Sequence, residues 1–72
     1  MKYRILIQWS DEDQTYAVLL PEWEDRYLMP VASGKTYEEA MVRGVNSLEN
    51  IIADAQAHGD PLPEPKVFVA RT

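Results

Sequence analysis

Gly34-Lys35-Thr36-Tyr37-Glu38-Glu39-Ala40-Met41, continued without a break to His58-Gly59, is the stretch on which the fold turns. Thr36 can cap a helix, Glu39 three residues on completes a capping box, and Gly34 supplies the preceding turn. Tyr37, Ala40, Met41, Val45, Leu48, Ile51, Ile52 and Ala55 then recur at the 3–4 spacing of an apolar stripe laid on a sheet. Glu38 and Glu39 in the first turn suit the helix dipole, and His58-Gly59 reads as the last turn followed by a left-handed C-terminal cap. These signals predict a helix over residues 37–57. Gly44 lies on the edge of the stripe, where it costs about 1 kcal/mol in helix propensity against alanine. Close approach of the helix backbone to a strand would offset that cost.

Upstream of the helix, residues 2–10 alternate: Tyr3, Ile5, Ile7 and Trp9 share one face, and Lys2, Arg4, Gln8 and Ser10 the other. Leu6 breaks the polar face, which implies partial cover there by a neighbour or a second subunit. Asp11-Glu12-Asp13-Gln14 is a polar turn, residues 15–20 are rich in strand formers, and the two runs read as an antiparallel hairpin ended by Pro21. Tyr27-Leu28-Met29 and Val31-Ala32 form a candidate third strand, interrupted by Pro30 and therefore an edge or a bulge. Downstream, Asp60-Pro61-Leu62-Pro63-Glu64-Pro65 is a stiff extended spacer that cannot donate sheet hydrogen bonds at its prolines. It leads to Lys66-Val67-Phe68-Val69-Ala70, expected to be a short final strand at an edge, with pairing across a dimer as one option. The expected fold is α+β, a small antiparallel sheet packed on one long helix in the order β-β-β-α-β.

The 72 residues are expected to form one domain, and its core is thin. A chain of this size buries only about 60% of its unfolded surface. With no cysteine and a single histidine, His58, disulfides, thiolate metal sites and a catalytic zinc are disfavoured, which leaves self-association as the remaining support. A homodimer or tetramer is expected. Twelve acidic against seven basic side chains give a net charge of −5, the wrong sign for holding a phosphate backbone. The same charge suits a basic protein partner. No apolar run approaches the roughly 20 residues that span a bilayer, and Met1-Lys2 runs straight into a strand pattern, so no membrane contact and a cytoplasmic location are expected.

Enzyme chemistry finds no pattern to stand on. Asp11, Glu12 and Asp13 are ordinary turn formers, Glu38 and Glu39 already have helix-start roles, and Glu22 and Asp25 complete no metal-binding spacing. Ser10, Ser33 and Ser47 lack a glycine-rich elbow, no nucleotide-binding glycine motif occurs, and His58 at a helix end favours a cation over a ligand. No cofactor is expected. The loop Trp23-Glu24-Asp25-Arg26-Tyr27 differs, because Trp, Tyr and Arg are the residues that dominate binding hot spots, and it is the candidate partner-binding segment. Its competing reading has Trp23 folded back as a lid over the thin core. Trp9 is expected in the core, while Tyr3 and Tyr16 fit core or dimer contacts equally.

Four elements together resemble the HicB-like antitoxin family in its N-terminal partial ribonuclease-H-like domain, and they span nearly the whole chain. They are the strand Tyr3-Arg4-Ile5-Leu6-Ile7 before an acidic turn, Leu20-Pro21-Glu22, the helix start Gly34-Lys35-Thr36-Tyr37-Glu38-Glu39-Ala40, and the exit Gly59-Asp60-Pro61-Leu62-Pro63-Glu64-Pro65. The resemblance implies an antitoxin, not an enzyme, that binds a small basic messenger-RNA endonuclease of HicA-like type and covers its active site. It also implies the family's fold without catalytic carboxylates. A solitary member that self-assembles without a toxin is the alternative. Two departures limit the carry-over. Residues 24–33 replace the family's Pro-Gly-Cys turn, so partner contacts there do not transfer, and no helix-turn-helix or ribbon-helix-helix segment follows within the sequence, so direct DNA binding is not expected.

Overall fold

The computed structural model describes residues 2–70. Its elements are β1 (Leu6–Ser10), β2 (Thr15–Leu19), a 3-10 turn (Pro21–Trp23), β3 (Ala32–Gly34) and α1 (Tyr37–Ala57). The strands form one antiparallel sheet in the order β1-β2-β3, with α1 across one face. The class is α+β, as the sequence predicts.

The hairpin pairs Ile7 with Val18 and Trp9 with Tyr16, so the side chains of these residues share the helix-facing side. Leu6, Gln8, Ala17 and Leu19 fall on the other side. Gln14 closes the turn at φ 54°, in the left-handed region, and its side-chain amide donates to the Asp11 carbonyl at 2.7 Å. The third strand, Ala32–Gly34, starts five residues after Tyr27, where the sequence suggests its start. Val31 N–H still bonds the Val18 carbonyl, but the preceding Met29-Pro30 peptide is cis and the 24–31 stretch is turn and bend.

The helix begins and ends where its signals place it. Glu39 N–H donates to Thr36 Oγ1 at 3.0 Å, while the Glu39 carboxylate accepts from Lys35 N–H, one residue before the usual capping-box partner. At the other end, Gly59 at φ 68° lets its N–H reach the Gln56 carbonyl and Asp60 N–H reach the Ala55 carbonyl, the paired bonds of a Schellman cap. His58 Nδ1 lies 2.8 Å from the Asp54 carbonyl; that bond, together with the Asp54 and Asp60 carboxylates, raises the imidazole above its usual 6.5.

Two features depart from expectation. Residues 66–70 are extended but join no sheet, so the order is β-β-β-α and the expected final strand is absent from the described residues. Trp9, expected in the core, is 45% exposed. It stacks edge-on against Tyr16 at 5.0 Å and donates its indole N–H to Asp11 at the open end of the sheet, beyond the cover of the helix.

The core consists of Val18, Leu20, Trp23, Ala40, Leu48, Ile51 and Ala55, with Tyr3, Ile5, Met29, Val31 and Ile52 packed against it. Gly44 sits over Val18. A Cβ at Gly44 would lie 2.8 Å from Val18 Cγ1 and 3.3 Å from Ile5 Cγ2, and a β-branched valine cannot swing clear. Gly44→Ala should therefore destabilise the protein by roughly 1–2 kcal/mol, overpacking outweighing the gain in helix propensity. Urea unfolding measures this; a variant as stable as the parent would show that the helix is free to ride higher on the sheet.

Candidate functional site

Of the predicted segment Trp23-Glu24-Asp25-Arg26-Tyr27, the structure divides core from surface. Trp23 is fully buried and presents nothing to a partner: the lid reading holds for this residue. Leu20-Pro21 starts the 3-10 turn, Trp23 N–H bonds the Leu20 carbonyl at 2.9 Å, and the indole is carried back under the helix. Tyr3 and Tyr27 meet its ring edge-on, at 5.4 and 6.3 Å between centroids, and the Arg26 guanidinium lies 5.3 Å from the ring centroid. Glu24, Asp25 and Arg26 are exposed, and Tyr27 is half-buried.

Tyr27 divides two shallow grooves between this loop and the C-terminal half of α1. One, about 460 Å³, runs along Tyr27, Asn50, Ile51, Asp54 and Ala57; the other, about 390 Å³, runs along Leu28, Pro30, Val31 and Ser47. Leu28, at 95% exposure, stands on the rim. Sequence reading did not single out Asn50 and Asp54 as groove residues, nor Leu28, because Tyr27-Leu28-Met29 has the look of a strand. The signal available was Pro30, which denies that segment a regular ladder. The result is an open, mostly apolar floor with Asp54 in its lining, suited to contact with a macromolecule and too shallow to enclose a small molecule.

Glu22 is the second component. Its side chain is only 1% exposed, and its Oε2 accepts from Arg4 Nε at 3.3 Å and from the backbone N–H of Lys66 at 3.0 Å. Tyr3 hydroxyl donates to the Pro63 carbonyl. The Leu-Pro-Glu turn, the first residues of the chain and the proline exit are thus tied at one point. Glu22 Oε1 and Trp23 Nε1 are buried without a hydrogen-bond partner among the described residues. Among those residues, no group of three or more histidine or acidic side chains is gathered in a way that could hold a metal.

Burial pushes the Glu22 carboxyl up, but hydrogen bonds from the Lys66 and Glu22 N–H groups, and then the Arg4 guanidinium, more than offset it. The net shift is downward from 4.5. A carboxyl with a depressed folded-state pKa contributes stability that is fully present above its unfolded pKa and lost as pH falls through the folded one. Glu22→Gln should therefore unfold at lower urea than the parent at neutral pH, with the gap closing below about pH 4.5. Amide exchange at Lys66 should quicken in parallel. Unfolding midpoints that run parallel across this range would remove Glu22 as the tie.

No family model, no curated protein and no solved structure matches this chain.

Proposed function

We propose that this chain is a HicB-like antitoxin, a cytoplasmic, non-enzymatic binding protein that covers the active surface of a small basic messenger-RNA endonuclease. The observation that carries the reading is the Tyr27 groove: a mostly apolar floor with exposed Leu28 at its rim and Asp54 in its lining, on a chain of net charge −5 whose preceding loop exposes Glu24 and Asp25. An apolar centre inside a charged border is how protein interfaces are built, and acidic fields speed and select encounters with a basic partner. Further support comes from the motifs quoted for the resemblance. Leu20-Pro21-Glu22, the Gly34 to Ala40 helix start and the proline exit each carry a structural task, in turning, capping or tying the chain.

A self-assembling interaction protein without a toxin is the second reading, favoured by the bare apolar tail Val67-Phe68-Val69. No helix among the described residues is long and apolar enough to cross a membrane.

Pull-down of the tagged chain from its own cell lysate, washed at low and high salt, separates the two. The antitoxin reading expects a small basic RNA-cleaving protein that salt releases. Glu24→Lys with Asp25→Lys should weaken its capture, and Leu28→Ala should cost about tenfold in affinity, the loss of one exposed apolar anchor. Recovery of this chain alone at every salt concentration would overturn it in favour of the second reading.

A further inference from the structure

Three aromatic rings stand in contact at the open end of the sheet. Trp9 and Tyr16 are partners across the β1–β2 pairing and meet edge-on, with ring centroids 5.0 Å apart and planes at 69°. Tyr37, the first residue of α1, tilts over Tyr16 at 4.2 Å and 33°. Gly34, which pairs with Tyr16 on β3, has no side chain, so the helix start comes close enough to lay Tyr37 there. This ladder is not core: Trp9 is 45% and Tyr37 62% exposed, and Tyr16 is half-buried.

The surroundings are acidic. Asp11-Glu12-Asp13 form the turn beside Trp9, and Glu38 follows Tyr37, against Lys35 as the cation on these two stretches. All four carboxylates are exposed, and the ion pairs found among the described residues, Arg4–Glu22, Arg43–Glu39 and His58–Asp54, use none of them. The uncharged polar groups nearby are engaged already. Gln14 donates to the Asp11 carbonyl, the Ser10 hydroxyl to the Asp13 carboxylate, and Thr36 Oγ1 accepts the Glu39 N–H. Asp11 accepts the Trp9 indole N–H at 2.9 Å, which leaves most of its lone pairs free. What this surface still offers is ring faces and negative charge. Ring faces attract cations, and a guanidinium adds planar stacking and a fork of N–H donors that fits a carboxylate.

We propose that the Trp9–Tyr16–Tyr37 ladder docks an arginine side chain of a basic protein, the guanidinium stacked on the exposed rings and paired with Asp11. A nucleic-acid base would stack on the same rings, but its phosphates would meet Asp11, Glu12 and Asp13. A second copy of this chain would bring the same carboxylates and be repelled. The ladder sits at the N-terminal end of α1 and the Tyr27 groove along its C-terminal half, so this is a second surface, and the inference holds whether or not the partner is a nuclease.

NMR titration of the full chain with a short capped peptide of alternating arginine and glycine tests it. The two indole N–H signals give an internal comparison: Trp9 should shift saturably, while Trp23, fully buried, should not. The same peptide with citrulline in place of arginine should move neither. Tyr37→Ala and Asp11→Asn should each weaken binding about two- to fivefold, the worth of one exposed cation–ring contact or ion pair. Glu49→Gln removes the same charge about three turns farther along α1 and should leave binding unchanged at physiological salt. Tyr37 is exposed and asparagine keeps an acceptor for the indole, so circular dichroism should show an unaltered fold. The proposal is overturned by no saturable Trp9 shift, by an equal shift with the citrulline peptide, or by affinity indifferent to Tyr37→Ala or lowered as much by Glu49→Gln as by Asp11→Asn. Shifts centred on Tyr27 and Asn50 would also overturn it, placing arginine capture in the groove and leaving the antitoxin reading standing.

Discussion

The distance between helix and sheet is the constraint from which the rest of the structure follows. Gly44 brings the α1 backbone down onto Val18 and Ile5, and Gly34 brings β3 against the first turn, where a Cβ would lie 2.5 Å from Ala40 N. With helix and sheet this close, small side chains suffice at the contact. Ala40 and Ala55 are buried at the interface, and Leu20, Leu48 and Ile51 fill the wider space beside it. A thin interlayer of this kind closes well at its centre and poorly at its rim, because no second layer covers the far side of the sheet. Trp23 supplies the missing bulk at one end. Folded back by the 3-10 turn, it is the largest buried side chain among the described residues.

Burying Trp23 has a consequence for Glu22, its neighbour in the same turn. The carboxylate is drawn into a nearly solvent-free position, where it needs hydrogen bonds to remain charged. Arg4 and the Lys66 N–H supply them, so packing of the indole and docking of the exit segment depend on one turn. A core requirement thus fixes the exit segment as far as Lys66.

Local chemistry made the helix and hairpin readable. Thr36, Glu39 and Gly59 carry their roles in their residue types, and the β1 and β2 alternation puts Ile7 and Val18 face to face. Gly44 was readable as a close approach because nothing else accounts for glycine beside an apolar stripe. Trp9 and the 66–70 strand misled for one shared reason. Alternation reports which side chains want cover and says nothing of whether the same chain provides it. Trp9, Phe68 and Val69 have the pattern of buried residues and stay exposed in this chain. In the loop, Glu24 and Asp25 were identifiable as surface groups, whereas the groove beside Tyr27 arises from residues twenty or more positions apart, Tyr27 against Asn50, Ile51 and Asp54. No local pattern encodes such a meeting.

The apolar surface left bare by this chain is not scattered. One part surrounds Leu28 and Tyr27 on the β3 side of the helix, and another follows Trp9, Leu6 and Met41 on the β1 side. Isolated exposed apolar residues are ordinary on any protein, whereas these gather on opposite flanks of one helix. Their borders differ in kind. The first has one acidic side chain, Asp54, in its lining; the second presents unpaired strand backbone, which a strand satisfies and an arbitrary surface does not. The two surfaces lie on opposite flanks of α1, so a contact made at one leaves the other uncovered.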